Sequence, residues 1–240
     1  MSTTPHTHHT PAALPVLPAD ASPQEILRAG FAASAGPVRL ACSFSVEDVV
    51  IIHMARELGL AIEVFALDTG RLNEETYEVA EAISERYRIA IDWYFPERDA
   101  VEALLREKGP YSFRESLDNR HECCHIRKVE PLGRALKGAA AWITGLRREQ
   151  SVTRTELAPI ERDVLNGGIL KINPLLSWSE KEVWEYAEEQ RIPTNRLHRQ
   201  GYPSIGCAPC TRPVAPGEHP RAGRWWWENP ENKECGLHRR

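Results

Sequence analysis

VRLACSFSVEDVVIIHMARELGLAIEVFALDTGR, residues 38–71, is the stretch on which the fold turns. Val38 to Ala41 reads as a short buried strand that runs into the polar turn Ser43-Phe44-Ser45. A helix from about Val46 to Leu58 follows, closed by Gly59, which tolerates the left-handed backbone of a helix end. Ile62 to Leu67 is the next strand, and it ends at Asp68-Thr69-Gly70-Arg71. Strand, helix, strand in this order predicts a parallel sheet wrapped by helices, with ligands at the C-terminal ends of its strands. The SFS and DTGR turns both sit at such ends.

The alternation continues outward in both directions. A helix is expected from Pro23 to Ala33, with Ser22 as N-cap and proline at the first position. Downstream, a helix over about 73–87, a strand over 89–95 and a helix over 99–108 repeat the pattern. Ala140 to Thr144 reads as a strand ending at Gly145-Leu146-Arg147-Arg148, and Ile169 to Ile172 as another. Ser179-Glu180-Lys181-Glu182 is a capping box opening a helix to about Gln190. Beyond Arg191 the chain is rich in Pro, Gly, Arg and Trp, and no internal repeat is visible.

The 240 residues suffice for one sizeable α/β domain of ordinary soluble composition. No apolar run approaches the roughly 18 residues of a membrane helix; Val49 to Ile52 is stopped by His53. Residues 1–22 lack a basic start and a continuous apolar stretch, so they read as a disordered arm rather than a secretory signal. A cytoplasmic location is expected by default, and residues 23–206 and 207–240 as an α/β domain and a C-terminal segment. The histidines of the arm are read as solvated, and Trp178 and Trp184 as core residues. The net charge of −4 divides unevenly: residues 196–240 carry +4 and the rest −8. A basic C-terminal segment on an acidic body suits a small anionic ligand better than nucleic acid.

Six cysteines fall at 42, 123, 124, 207, 210 and 235. Cys42 reads as a strand end. Cys123-Cys124 and the Cys207-Ala208-Pro209-Cys210 motif supply four thiols from two segments, enough for a zinc ion or a [4Fe–4S] cluster. Consecutive side chains diverge, which suits a four-iron cluster better than one small tetrahedral ion. Zinc, a thioredoxin-type redox pair and buried structural thiols stay open on spacing alone. Cys235 stands alone near the C-terminus, with Arg221, Arg224, His238, Arg239 and Arg240 around it in sequence. Neighbouring cations favour the thiolate form that a nucleophile needs.

The segments ECCHIRKVEPL (122–132), IGCAPCTRP (205–213), GRWWWE (223–228) and KECGLH (233–238) resemble the assimilatory adenylyl-sulfate reductases, the iron–sulfur branch of the phosphoadenylyl-sulfate reductase family. The likeness runs from about Val38 to His238. It implies an ATP-pyrophosphatase-like (adenine nucleotide hydrolase) fold with a mobile C-terminal tail, and a [4Fe–4S] cluster on Cys123, Cys124, Cys207 and Cys210. It implies reduction of adenosine 5′-phosphosulfate to sulfite and AMP, with Cys235 forming an S-sulfocysteine that thioredoxin then attacks. A 3′-phosphoadenylyl-sulfate reductase is the alternative within the family. A tRNA thiolase needs an SGGxDS-type loop whose glycines SFSVED lacks, and a passive metal-binding module is the non-enzymatic rival. Homo-oligomers are common in the family, and no residue here fixes a stoichiometry.

By the same resemblance Lys128, Arg221 and Arg224 contact phosphate and sulfate, assisted by Arg154 and His238. Ser43 and Ser45 match the family's phosphate loop, and Leu67, Thr69, Arg71 and Gly145 match positions lining the nucleoside pocket. Many relatives carry a glycine after the second serine and are one residue longer. Here Val46 follows directly, so a tighter loop is expected.

Overall fold

The computed structural model describes residues 14–150 and 157–229. Six strands form one sheet in the order β3-β2-β1-β4-β6-β5: β1 (Val38–Cys42), β2 (Glu63–Leu67), β3 (Ile91–Tyr94), β4 (Ala141–Ile143), β5 (Ile160–Asp163) and β6 (Ile169–Ile172). All neighbours pair in parallel except β5 with β6, an antiparallel edge that the sequence did not announce. Three of the four β5 residues are polar, and Lys171 of β6 lies 3.5 Å from Glu161 across the ladder. A charged strand of this kind is tolerated at an edge and gives no apolar alternation to read.

Among the described residues the α-helices are α1 (Pro23–Ala32), α2 (Val46–Glu57), α3 (Glu74–Tyr87), α4 (Arg98–Lys108), α5 (Leu117–Cys124), α6 (Glu130–Leu136) and α7 (Glu180–Glu189). Ser22 caps α1 in a full capping box with Glu25, and Ser179 caps α7 in the same way with Glu182. Residues 46–55 of α2 are all buried, because the helix is packed against β1, α1, α3 and α7. That enclosure explains the Val49-Val50-Ile51-Ile52 run without a membrane. Among the described residues, no helix is long and apolar enough to cross one. The larger core gathers Leu40, Val50, Ile52, Ile143 and Ile172 between sheet and helices, and α6 covers the other face through Leu132 and Leu136 against Phe65 and Trp142.

One expectation shifts. Residues 14–22, placed with the disordered arm on composition, include a turn closed by Ala21 N–H on the Pro18 carbonyl at 3.2 Å; Leu17 and Ala21 pack against the larger core. Residues 1–13 lie outside the described residues. The C-terminal segment folds against the domain up to Asn229, with Trp225 at 1% exposure. Residues 230–240 lie outside the described residues.

The chain runs outward through β1, β2 and β3, then returns to place β4 on the other side of β1. That reversal opens a crevice beyond the C-terminal ends of β1 and β4, where ligands of open α/β sheets bind.

Candidate functional site

A cavity of about 530 Å³ fills this crevice. The end of β1 supplies Ser43, Phe44 and Ser45, and β2 supplies Leu67 and Thr69. Thr144, Gly145 and Arg147 come from the end of β4, and Lys128 from the helical stretch beyond Cys124. Ser204, Gly206, His219, Arg221 and Arg224 of the C-terminal segment close the far side.

The tight loop after β1 is made at Phe44, whose φ of +59° lies in the left-handed region. A non-glycine residue accepts that cost, on the order of 1 kcal/mol, when packing holds it there. The Phe44 ring is 1% exposed and stacks on Trp93 at 5.8 Å. The SFSVED loop thus reverses by anchoring an aromatic ring in the core. Ser45 then occupies the N-cap of α2, but its hydroxyl makes no capping bond. The carboxylate of Asp48 fills the loop instead. Its Oδ2 accepts hydrogen bonds from Ser43 N–H at 2.7 Å, Ser43 Oγ at 2.8 Å and Ser45 Oγ at 3.2 Å.

Gly145 is required by close approach. A Cβ there would stand 2.6 Å from Asp48 Oδ1 and 2.8 Å from Glu47 Cβ. Glu47 in turn accepts from Arg147 Nε at 2.9 Å, a pair buried on both sides, and Glu149 takes another Arg147 nitrogen at 3.0 Å. Arg147 is therefore neutralised, whereas the hydrogen bonds of Arg224 go to Ile205 O and Ser204 Oγ, neutral groups. Arg224 Nε is buried with no partner among the described residues. A guanidinium left charged in that setting calls for an anion.

The second cavity is small and adjoins the first. It is lined by Cys123, Cys124, Cys207 and Cys210 together with Arg71, Arg120, Arg127, Lys128, Arg224 and Trp225. The helical course that brings the cysteine pair here was not read from the sequence. From Ser116, whose hydroxyl caps α5 at Asn119 N–H, helix runs to Leu136 through a π-helical turn at His125–Val129. Such wide turns are frequent at functional sites. This one sets Cys123, Cys124, Arg127 and Lys128 on the same wall. The Cys207 loop is held across from it: Ala208 N–H donates to Arg71 O at 2.8 Å, and Asn73 Nδ2 to Gly206 O at 3.3 Å.

The thiols differ. Burial pushes Cys210 up to about 12, helped by the neighbouring Cys207, and burial raises Cys123. Burial also acts against the Cys207 thiolate, but Lys128, a 3.2 Å contact with Thr69 Oγ1, Arg224 and Arg127 outweigh it and bring its pKa below the ordinary value. Burial raises Cys42 well above the usual thiol range, so this thiol is inert at neutral pH. Among the described residues no three His, Cys, Asp or Glu side chains converge as on a single metal ion. Four thiols ringed around one cavity, with buried Arg127 Nε and Arg224 Nε both lacking partners, fit an anionic multi-iron group better than a lone ion.

Of the residues singled out in sequence, Ser43, Ser45, Leu67, Thr69, Lys128, Gly145, Arg221 and Arg224 line the large cavity. Arg71 does not. It lines the cysteine cavity, where its guanidinium donates to Pro110 O at 2.7 Å and lies over the Phe113 ring. Cys235, His238 and Arg154 lie outside the described residues. Lys128, Cys207 and Arg224 line both cavities and form their common wall.

Asp48, Glu47, Arg147 and His219 line the large cavity without having been singled out, and so does Trp184, which was read as core. Trp178 and Trp184, both half-buried, pack against the larger core as expected, and Trp184 also meets His198 edge-on at 5.0 Å. The helical period held the signal: Val183 and Ala187 form the buried stripe of α7, and Trp184 stands about 100° round from Val183.

A family model described as the phosphoadenosine phosphosulfate reductase domain matches residues 37–213. The adenosine 5′-phosphosulfate reductase of Allochromatium vinosum is 54% identical over 200 residues, 83% of this chain and 78% of that one. That of Burkholderia cepacia is 51% identical over 201 residues, 84% of this chain and 80% of that one. Among solved structures, phosphoadenylyl-sulfate reductase from Candida auris, in a phosphate complex, superposes with TM-score 0.68 at 28% identity, over 80% of this chain and 91% of that one. The FMN adenylyltransferase of Candida glabrata shares the ATP-pyrophosphatase-like fold at TM-score 0.57 and 16% identity, over 89% of this chain and 72% of that one.

Proposed function

Since the chain belongs to the phosphoadenosine phosphosulfate reductase family, oxidoreductases acting on a sulfur group, we propose that it reduces adenosine 5′-phosphosulfate to sulfite and AMP in sulfate assimilation. The observation that carries this reading is the common wall: Lys128 and Arg224 face a nucleotide-sized cavity on one side and four cysteines on the other.

The nucleotide lies in the large cavity, with its phosphosulfate toward the SFS loop, Lys128, Arg221 and Arg224. The reaction must bring a thiolate to an anionic sulfate, so repulsion is the main barrier. Positioned cations lower it, each by about 3 kcal/mol in a water-poor site. The Cys235 thiolate attacks the sulfate sulfur, the S–O bond of the anhydride breaks, and AMP leaves with the electron pair. The enzyme then carries S-sulfocysteine. A thioredoxin thiolate attacks the Cys235 sulfur, sulfite leaves with the S–S electron pair, and the second thioredoxin thiol resolves the mixed disulfide. Thioredoxin is oxidised by two electrons and the sulfonate is reduced by two. Arg154 and His238 assist at the anion.

Cys123, Cys124, Cys207 and Cys210 would hold a [4Fe–4S] cluster. When bound, the cluster supplies a fixed charge beside Lys128, since thioredoxin already supplies both electrons. Free thiol ligands and a thiol nucleophile suit a reducing compartment, the cytoplasm.

The test is anaerobic incubation with nucleotide labelled at the sulfate sulfur, followed by peptide mapping. Label should sit on Cys235, be released as sulfite by reduced thioredoxin, and vanish in Cys235→Ser. Label elsewhere, or sulfite production surviving Cys235→Ser, would refute the mechanism. Iron analysis and absorbance near about 400 nm report the cluster independently of turnover. The Candida auris structure keeps the 3′-phosphorylated nucleotide as a second reading, and the ratio of kcat/KM for the two nucleotides separates them.

A further inference from the structure

One oxygen atom at the end of β1 gathers three donors. Asp48 stands three residues after the N-cap Ser45, where an acidic side chain in a capping box would reach back to the N-cap N–H. It reaches further. Oδ2 takes the N–H of Ser43 and the hydroxyls of Ser43 and Ser45, the polar groups that the loop presents to the large cavity. The carboxylate is 4% exposed and lines that cavity, with Gly145 closing over Oδ1. No cation is bonded to it among the described residues: Arg147 is engaged by Glu47 and Glu149.

We propose that Asp48 is a placeholder for the substrate anion, holding the loop's donors in the free enzyme and surrendering them, with uptake of one proton from solvent, when the phosphosulfate binds. The proposal rests on the reading that the SFS loop receives that group. A carboxylate and a phosphosulfate cannot both claim the same donors as anions: the site would hold two like charges in a water-poor cavity. Neutralising the carboxylate removes the repulsion and releases the Ser43 and Ser45 donors. Asp48 is poised for this, since burial carries its pKa to about 6 against the opposing pull of the Ser43 hydrogen bonds, with Glu47 raising it further. It is a positioning residue: it acts on the substrate through Ser43 and Ser45.

The sign follows from linkage. Binding that takes up a proton is unaffected by pH below the free-enzyme pKa and weakens above it, by up to about tenfold per pH unit, until the pKa of the complex is reached. Adenosine 5′-phosphosulfate lacks the second ionisation of a phosphate monoester, so the ligand adds no titration here. The other titratable or charged groups facing Asp48 and the cavity are Cys42 from β1, Glu47 from α2, Lys128, Arg147, Glu149, Glu180 of α7, and Cys207, His219, Arg221 and Arg224 from the C-terminal segment. The Cys207 thiol, whose pKa is lowered, against burial, by Lys128 and Thr69, would be a ligand in the cluster-loaded enzyme; histidine is the remaining class that titrates in this range, so His219→Gln serves as the control.

The experiment is titration calorimetry of adenosine 5′-phosphosulfate into the cluster-loaded Cys235→Ser enzyme without reductant, from pH 5.5 to 8, in two buffers of different ionisation heat. We expect up to one proton taken up at pH 7, affinity falling at least about fivefold between pH 6 and 8, and the same slope in the His219→Gln background. In Asp48→Asn, which keeps an acceptor and removes the charge, affinity should be flat and proton uptake absent. Saturable binding with no proton uptake in the parent enzyme overturns the proposal even if Asp48→Asn does not fold. So does an unchanged slope in Asp48→Asn. Absence of saturable binding at every pH sinks the functional reading itself.

Discussion

Cutting Arg120 back to methionine should loosen the C-terminal segment without unfolding the domain. The Arg120 side chain is 1% exposed, and its Nε lies 2.6 Å from Glu228 Oε1. Its guanidinium sits 4.6 Å from the centre of the Trp225 ring, which Arg224 also approaches at 4.7 Å. Glu228 is 9% exposed, and its second oxygen has no partner among the described residues. Removing one member of a buried pair typically costs about 3–5 kcal/mol, because the other charge is left buried alone. Here the stranded carboxylate belongs to a segment that can swing out to water, so the lower figure applies and appears as local opening. About 3 kcal/mol corresponds to roughly a hundredfold loss of protection. Hydrogen exchange read by mass spectrometry on peptides covering 221–229 measures it directly. Trp225 N–H on Cys210 O and Glu228 N–H on Trp225 O are the reporting bonds, and β1 peptides serve as reference. The double variant Arg120→Met/Glu228→Met should regain most of the protection, since no buried charge remains. Less than threefold change in the single variant, or a double variant as open as the single, would refute the reasoning.

Two further outcomes are expected. Gly145→Ala places a methyl 2.6 Å from Asp48 Oδ1, and overpacking of this kind costs about 1–3 kcal/mol; steady-state kinetics should show KM for the sulfonucleotide rising more than kcat falls, and an unchanged KM would count against the loop's role. Ser179→Ala removes the hydroxyl that accepts from Glu182 N–H at 3.2 Å and breaks the capping box of α7, at a cost of about 1 kcal/mol. A calorimetric Tm lowered by about 2–4 °C is the expected reading, and no shift would refute it.

Much of the sheet was legible because β1 to β4 and β6 are apolar runs separated by amphipathic helices, a signal carried by neighbours in sequence. Strand β5 was not, because Glu161 and Asp163 suit an exposed edge and carry no period. The π-helical turn after Cys124 was not, because its widening depends on what packs against it rather than on a residue code. Trp184 packs against the core as read, but its second role in lining the cavity depends on the rotation of the helix and was not legible.

Residue order alone determined the strand–helix alternation, the N-cap of α1, the capping box of α7 and the pairing of four cysteines in two short motifs, since each depends on spacings of a few residues. Which groups share a wall was settled only in three dimensions. Lys128, Cys207 and Arg224 are spread over nearly a hundred positions yet separate the two cavities, while Arg71, two residues from Thr69, turns to the other one. The Asp48 carboxylate is bound by its own loop because Phe44 reverses the chain and Gly145 closes over it. Charges meet or miss across a fold by packing between distant segments, and that proximity has no period in sequence for a reader to find.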